Sequence, residues 1–140
     1  MNPTSPAKPG NQAVLPEGWP RPRGYANGVA ARGRQIYVAG QVGWDPQGLW
    51  TTDDFAAQTR LALQNVAAVL HAANAGPEHI TRMTWYVTSK REYLDAGRAV
   101  GASFREIIGH FDIAMTAVEV TALMEDRAKV EIEVTAVVPD

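Results

Sequence analysis

Apolar residues recur along this chain at two different spacings, and the change from one to the other marks its elements. Two segments show the three- and four-residue spacing of an amphipathic helix. The first is predicted to run from an N-cap at Asp53 or Asp54 to about Ala73. Its apolar stripe is Phe55, Thr59, Ala62, Val66, Leu70 and Ala73. The second is predicted from about Arg91 to Ile108, with the stripe Tyr93, Ala96, Val100, Phe104, Ile107 and Ile108.

Glycines and prolines separate these helices from the strands. Gly97 and Gly101 weaken the second helix locally and suggest close packing against another element. Ala75-Gly76-Pro77 ends the first helix, and Asp45-Pro46-Gln47-Gly48 predicts a tight turn. Trp44 and Trp50 bracket that turn, where they cap a ligand site or pack against the N-terminal segment. Packing is the favoured interpretation.

Five segments read as strands. Tyr25 to Ala30 and Gln35 to Gln41 flank a turn at Gly33 and predict a hairpin. The others are Ile80 to Thr88, Ile113 to Thr121 and Ala128 to Val137. The predicted order is therefore β-β-α-β-α-β-β. This order predicts an α+β fold, a single mixed β-sheet with two helices packed on one face.

Alternation along the last two strands predicts which side chains face the helices. Val130, Ile132, Val134 and Ala136 alternate with polar residues and are expected to meet the helices. Matching this set to the apolar alternation of the preceding strand puts Met115, Glu119 and Glu131 on the helix-free face. That face mixes carboxylates with apolar residues, which favours a subunit interface and a homo-oligomer.

Six of the nine prolines lie in the first 22 residues. Proline favours extended backbone, so residues 1–22 are predicted to be a Pro-rich arm and residues 23–140 the folded domain. A frayed tail is the favoured interpretation of the arm. The alternative is an arm that packs Leu15 and Trp19 onto the domain or a neighbouring subunit.

Composition and charge exclude several classes of function. The net charge of -2 argues against nucleic-acid binding, which usually needs a basic excess. There is no cysteine, no apolar signal-like run at the N-terminus and no membrane-length apolar segment, so a cytoplasmic protein is expected. His71, His79 and His110 lack metal-ligand spacing. Neither a metal nor another cofactor is predicted, because no nucleotide-binding motif is present either.

Several short runs, in this order and spacing, resemble the Rid family of reactive enamine/imine deaminases. The resemblance covers roughly residues 23–138. The runs are Gly24-Tyr25, Ile36-Tyr37-Val38-Ala39-Gly40-Gln41, Gln64-Asn65-Val66, Trp85-Tyr86-Val87-Thr88, Asp112-Ile113-Ala114-Met115-Thr116-Ala117-Val118-Glu119-Val120 and Val130-Glu131-Ile132-Glu133. It implies a chorismate-mutase-like fold and a homotrimer built sheet to sheet, with a small-molecule cleft between each pair of subunits.

The resemblance also implies roles for individual residues. Glu131 matches the glutamate that handles the attacking water and the proton, and Tyr25 matches a cleft-lining tyrosine. Met115 stands where the family carries an arginine that grips the substrate carboxylate. A thioether cannot replace that guanidinium, so a typical 2-aminoacrylate-like acid is not the expected substrate.

Other positions complete the predicted site. Gly40 is expected to orient substrate through its backbone, and Glu119 to line the cleft or its rim. Gly97 stands where some members carry an asparagine. Arg91, Arg98 and Arg105 lie on or near the second helix. One of them could supply a displaced carboxylate anchor, although a solvated helix face is favoured.

Three hypotheses follow for the function. The first is a divergent deaminase that hydrolyses a small neutral or bulkier imine to a carbonyl compound and ammonia, with Glu131 as the catalytic group. The second is a non-catalytic member that binds a small ligand or another protein. The third, RNA cleavage, has no support from the charge.

Overall fold

A computed structural model describes residues 10–140 of the chain. Its strands are β1 (Gln12–Val14), β2 (Gly28–Ala30), β3 (Arg34–Val42), β4 (Ile80–Val87), β5 (Ala114–Glu119) and β6 (Val130–Val138). Its helices are α1 (Phe55–Ala72), α2 (Lys90–Asp95) and α3 (Gly97–Ile107). The α+β class and the predicted order are confirmed, with an added N-terminal strand and a second helix divided in two.

The main sheet has four strands in the order β3-β6-β4-β5. β6 pairs antiparallel with both β3 and β4, whereas β4 pairs parallel with β5, so the sheet is mixed. β5 and β6 are consecutive in sequence but are not neighbours, because β4 lies between them. The apolar sets of these two strands therefore cannot be matched directly, as the sequence interpretation did.

The predicted hairpin between residues 25–30 and 35–41 is wrong. β2 pairs antiparallel with β1 instead, with Gln12 opposite Ala30, in a separate two-stranded sheet. The segment just before β2 lies beside β5, the edge strand of the main sheet. There the Ala26 N–H donates to the Ile113 carbonyl at 2.8 Å, and Ala26 forms an isolated parallel β-bridge with Ala114. This places Tyr25 beside β5 and away from β3.

Helix α1 forms where the apolar stripe predicted it. Asp54 is its N-cap, and its carboxylate accepts a hydrogen bond from the Ala57 N–H at 2.9 Å. Leu63, Val66 and Leu70 are fully buried against the sheet. Gln58, also fully buried, donates to the carbonyls of Thr52 and Arg127 and accepts from the Lys129 N–H, which ties α1 to the start of β6.

The predicted second helix is broken at Ala96 and Gly97. Ser89 caps α2 by accepting a hydrogen bond from the Glu92 N–H, and α3 begins at Gly97. Tyr93 on α2 and Phe104 on α3 both pack on Trp85 of β4, with ring centroids 6.1 and 6.4 Å apart. The two short helices therefore share one aromatic contact with the sheet.

Strand register shows which side chains face the helices. Met83, Trp85 and Val87 of β4 are buried on the helix side, and their β5 partners are Met115, Ala117 and Glu119. The prediction that Met115 and Glu119 lie on the helix-free face is therefore wrong. Their strand pairs parallel with β4, in a register that the apolar alternation alone did not reveal.

Glu131 does lie on the helix-free face, opposite Tyr86 of β4. Its strand neighbours Val130 and Ile132 are fully buried on the other side. Two of the apolar side chains that accompany it are well exposed, Tyr37 at 72% and Val118 at 40%. None of the three α-helices found in residues 10–140 covers this face.

The described part of the arm contacts the domain at its first residues and is more exposed further along the chain. The Asn11 side chain donates to the carbonyls of Ile80 and Asp112, and β1 follows immediately. Leu15 and Trp19 remain 40% and 56% exposed. Packing of either residue onto a neighbouring subunit stays a prediction. The first nine residues of the predicted arm lie outside the described residues, and a domain boundary at residue 22 stays a prediction.

Candidate functional site

A cavity of about 990 Å³ opens on the helix side of the sheet, at the end where β5, α3 and the N-terminal segment meet. Its lining brings together two residues predicted for the site, Tyr25 and Met115. The aromatic residues Trp85, Tyr93 and Phe104 form much of the remaining wall. The cavity is thus predominantly apolar, and Met115 contributes a thioether at the position expected to carry a cation.

Gly97 and Gly101 also line this cavity. Within one chain the predicted close packing is not found at Gly97, since a Cβ added there would meet no atom within 4 Å. At Gly101 the only near atom would be Nη1 of Arg105, at 3.2 Å. These glycines instead widen the cavity, because any larger residue at Gly97 would project into open space.

Two buried polar atoms belong to residues of the cavity wall. Nε1 of Trp85, in a side chain only 2% exposed, has no hydrogen-bond partner within residues 10–140. The same holds for Oδ1 of Asn11, whose amide nitrogen is already used by two backbone carbonyls. An unpaired buried donor or acceptor is costly, and such groups in native proteins often serve a ligand or water.

The charged residues of the cavity wall are all exposed to solvent. They are Arg21, Glu78, Arg105 and Asp112. Arg105 is therefore the one member of the predicted arginine group that reaches the cavity, and it makes no ion pair with a described carboxylate. In the part of the wall formed by residues 10–140, no arginine or lysine is buried.

Glu131 and Gly40 form a second group on the helix-free face, outside that cavity. Gly40 lies in a β-bulge of β3, where the pairing with β6 shifts between Val38 and Gln41. The Glu131 side chain lies directly over it: a Cβ at Gly40 would be 2.6 Å from Oε2 and 2.8 Å from Cγ of Glu131. The missing side chain at Gly40 therefore makes room for the carboxylate.

Tyr86 and Glu133 stand beside Glu131 on the same face. The Tyr86 hydroxyl donates to Oε1 of Glu133 at 2.5 Å. This hydrogen bond raises the pKa of Tyr86 above its usual value, with smaller contributions from partial desolvation and from the negative charges of Glu133 and Glu131. Arg82 opposes the shift. Tyr86 is therefore a neutral hydroxyl group near Glu131 over the ordinary pH range.

The remaining predicted site residue, Glu119, has a structural partner. Its Oε1 accepts a hydrogen bond from the Lys90 N–H at 2.7 Å, at the first turn of α2. A carboxylate there satisfies a backbone donor that the helix leaves unpaired. Glu119 is not part of the lining of the large cavity.

Trp44 and Trp50 pack against each other across the predicted turn, with ring centroids 5.6 Å apart. Asp45 closes the turn by accepting from the N–H groups of Gln47 and Leu49. The Arg127 guanidinium lies 5.9 Å from the Trp50 ring centre and pairs with Asp53. The favoured interpretation was that these two residues pack against the N-terminal segment. They contact each other instead, and Trp50 also contacts Arg127.

Among residues 10–140, no group of three or more histidine, aspartate or glutamate side chains is placed to hold a metal ion. In the same part of the chain, no helix has both the length and the apolar character needed to cross a bilayer.

Sequence reasoning missed several residues of the cavity wall. Asn11, Trp85 and Phe104 come from the arm, β4 and α3, which meet only in the folded chain. In the sequence, Trp85 belongs to a predicted strand and Phe104 to the apolar stripe of a predicted helix. Both patterns are equally typical of side chains that pack in a core. An aromatic residue opposite a pair of glycines on a short helix is a signal that would have pointed to a cavity.

Comparison with known proteins agrees with this fold. A family model described as Endoribonuclease L-PSP matches residues 20–138. A 2-iminobutanoate/2-iminopropanoate deaminase of Salmonella typhimurium is 33% identical over 113 residues, which cover 81% of this chain and 86% of that protein. A RutC family protein of Pyrococcus horikoshii is 29% identical over 126 residues, or 89% and 96% of the two chains.

Solved structures give the same result. The Rid-family protein YyfB of Yersinia pestis superposes with a TM-score of 0.78 at 29% identity, covering 91% of this chain and 98% of the other. Rv2704 of Mycobacterium tuberculosis, from the YjgF/YER057c/UK114 family, has a TM-score of 0.60 at 34% identity over 83% and 88% of the two chains. With the match over residues 20–138 and the shared fold, the chain belongs to the Rid family.

Proposed function

We propose that this protein is an imine or enamine deaminase with Glu131 as its catalytic carboxylate. The observation that carries the proposal is the placement of Glu131 over Gly40, on an accessible sheet face beside the neutral hydroxyl of Tyr86. Some relatives bear the name 2-iminobutanoate/2-iminopropanoate deaminase, which supports the reaction class. Met115 and the wide apolar cavity support a substrate other than a small acid.

The reaction needs only water and a group that moves protons. The water oxygen adds to the carbon of the C=N bond while Glu131 accepts one of its protons. The carboxyl group passes this proton to the nitrogen, which gives a neutral carbinolamine. Glu131 then accepts the proton of the carbinolamine hydroxyl and delivers it to the amino nitrogen as the C–N bond breaks and the C=O bond forms, so that the carboxylate is regenerated. The products are a carbonyl compound and ammonia. An enamine substrate first takes a proton on carbon and gives up one from nitrogen, which converts it to the imine.

We further propose that each site is completed by two copies of the chain. Tyr25 and Met115 line a cavity on the helix side of the sheet, whereas Gly40 and Glu131 lie on the opposite face. Refolding would be needed to bring these groups together within one chain. In a closed ring of subunits, two different surfaces of neighbouring copies meet. Such a ring would bring the two groups together without any change of fold.

A homotrimer is the assembly that we expect. The uncovered face of the sheet, with Tyr37 and Val118 exposed, supplies an apolar contact surface. Light scattering should give three times the chain mass of 15.2 kDa. A monomeric mass at micromolar concentration would contradict the shared site.

A cytoplasmic location and independence of metals stay predictions.

A non-catalytic ligand-binding role is the second candidate. It is favoured by Met115, which removes the expected anchor and leaves the cavity apolar. The assay that separates the two generates imines in place: an amino-acid oxidase supplies imino acids and an amine oxidase supplies the imine of acetophenone. The rate of imine loss is compared for wild type, Glu131→Gln and Glu131→Ala.

The deaminase proposal expects acceleration by the wild type with at least one imine, and its loss in both variants. Glu131→Gln keeps the shape of the side chain and removes its basicity, so it separates chemistry from packing. Acceleration that survives in Glu131→Gln would contradict the role of the carboxylate. No acceleration with acidic, aliphatic or aromatic imines would favour the binding role.

A further inference from the structure

The cavity beside Met115 is large for a three- or four-carbon imino acid. Its volume of about 990 Å³ lies at the upper end of the range for sites that hold drug-sized ligands. Part of this size is due to Gly97, where a side chain would meet only open space. The size of the space therefore indicates a ligand with a bulky body.

The wall indicates what that body is made of. Tyr93 and Phe104 present aromatic surface, and Trp85, only 2% exposed, lies behind them in contact with both rings. Aromatic walls favour flat apolar groups, which pack edge to face or offset against them. Met115 adds a polarisable sulfur that is favourable next to an aromatic ring.

The polar groups of the wall indicate the ligand's charge. Every lining arginine, aspartate or glutamate among residues 10–140 is exposed, so the buried part of the wall that these residues form offers a carboxylate no arginine or lysine. An unpaired charge in such a place is strongly disfavoured. Behind this wall, Nε1 of Trp85 is a covered donor without a partner in residues 10–140. A neutral acceptor such as a carbonyl oxygen or an imine nitrogen suits it once the side chains that cover it move.

From these observations we infer that the cavity binds an uncharged aromatic ketone or imine, with the ring against Tyr93, Phe104 and Met115 and the acceptor atom on Trp85 Nε1. Only the identity of the reacting group, a carbonyl or imine, rests on the proposed function. A small movement of the surrounding rings is required, because Nε1 is covered in the free protein.

Two probes that differ only in charge test this inference. Acetophenone and benzoylformate share a phenyl ketone, but benzoylformate carries a carboxylate where acetophenone carries a methyl group. Acetone tests the need for the ring. Calorimetric titration of the full chain should show acetophenone binding about tenfold or more tighter than benzoylformate, because the carboxylate finds no buried cation. Acetone should bind more weakly than acetophenone.

The four tryptophans provide a direct readout of the site. In a proton–nitrogen correlation NMR spectrum, the Trp85 indole N–H signal should shift downfield as acetophenone is added, and the shift should reach a plateau. Trp19, Trp44 and Trp50 do not line the cavity and serve as internal controls. Saturable binding that leaves the Trp85 signal in place would overturn the assignment of the donor.

Variants separate the cavity from the surface. Gly97→Leu should abolish acetophenone binding without loss of stability, since its side chain projects into the cavity. Ala102→Leu, on an exposed position of the same helix, is the matched control and should bind normally. Met115→Arg should shift the preference toward benzoylformate by about tenfold or more, since a guanidinium binds a carboxylate well.

Other results would overturn the inference. Tighter binding of benzoylformate that is lost in Arg105→Gln would make Arg105 a carboxylate anchor. Failure of all three probes to bind would exclude the ligand class. Acetophenone binding without any imine hydrolysis would support this inference and count against the proposed deaminase, whereas hydrolysis of small imino acids without acetophenone binding would do the reverse.

Discussion

Substitution of Gly40 by alanine tests whether the position of Glu131 matters for activity. The added methyl group would lie 2.6, 2.7 and 2.8 Å from Oε2, Cδ and Cγ of Glu131. Ordinary contacts at such a carbon begin near 3.4 Å. Because Cγ is also too close, rotation of the carboxylate alone does not relieve the clash. The whole side chain must move by about 1 Å, which is the scale at which positioned groups lose function.

The effects on activity and stability should differ. A displacement of about 1 Å can lower the rate about 100-fold when the moved group takes part in the reaction. An off-rotamer glutamate costs about 0.5 to 1.5 kcal/mol. Replacing glycine within a strand returns about 0.5 to 1 kcal/mol through lower backbone entropy in the unfolded chain. The net change in the free energy of unfolding should therefore be close to zero.

The assay is a double-mutant comparison of imine hydrolysis. Gly40→Ala should lower kcat/KM about 100-fold in the wild-type background while its urea midpoint changes little. In the Glu131→Gln background the same substitution should have almost no further effect, because the group that it displaces is already inactive. Wild-type activity in Gly40→Ala, or an equal loss in both backgrounds, would refute the reasoning about Glu131.

Three further predictions concern the scaffold and its pH response. Gln58→Met should lower the free energy of unfolding by about 3 kcal/mol in urea titrations, because two backbone carbonyls and one N–H lose their buried partner; a change below about 1 kcal/mol would contradict this role. Asp54→Ala should cost about 1 kcal/mol by removing the N-cap of α1, and Asp54→Ser, which can still cap, should cost less. The hydroxyl of Tyr86 should ionise above the usual tyrosine range in an alkaline absorbance titration that compares wild type with Tyr86→Phe, since its raised pKa favours the neutral form in the folded state. The stability from its bond to Glu133 is present below pH 10 and is lost as pH rises through the raised pKa, so Tyr86→Phe should reduce that pH dependence.

Local patterns predicted the elements that depend on local physics. The apolar stripe and the acidic N-cap located α1 to within a residue or two, and strict alternation gave the facing of β6, including Glu131. In both cases one element buries one side against a single core, so the period of the sequence alone carries the information.

The errors concern which elements meet. β5 alternates less clearly than β6, and its facing depends on a parallel pairing with β4 that no local spacing encodes. The hairpin at Gly33 failed because β1, assigned to the arm, pairs with β2. The cavity draws on Asn11, Trp85 and Met115, which are far apart in sequence, so it could be recognised only after folding.

The most direct test of a shared site uses two variants that are each expected to be inactive. Gly97→Phe blocks the cavity on the helix side, and Glu131→Gln disables the carboxylate on the opposite face. The two chains are mixed, unfolded and refolded together, and imine hydrolysis is compared with each variant refolded alone. If every site takes its two halves from neighbouring copies, random mixing gives about a quarter of the sites two intact halves. The account predicts recovery of about that share of wild-type activity, whereas a mixture as inactive as its components, beside an active wild type, would contradict it.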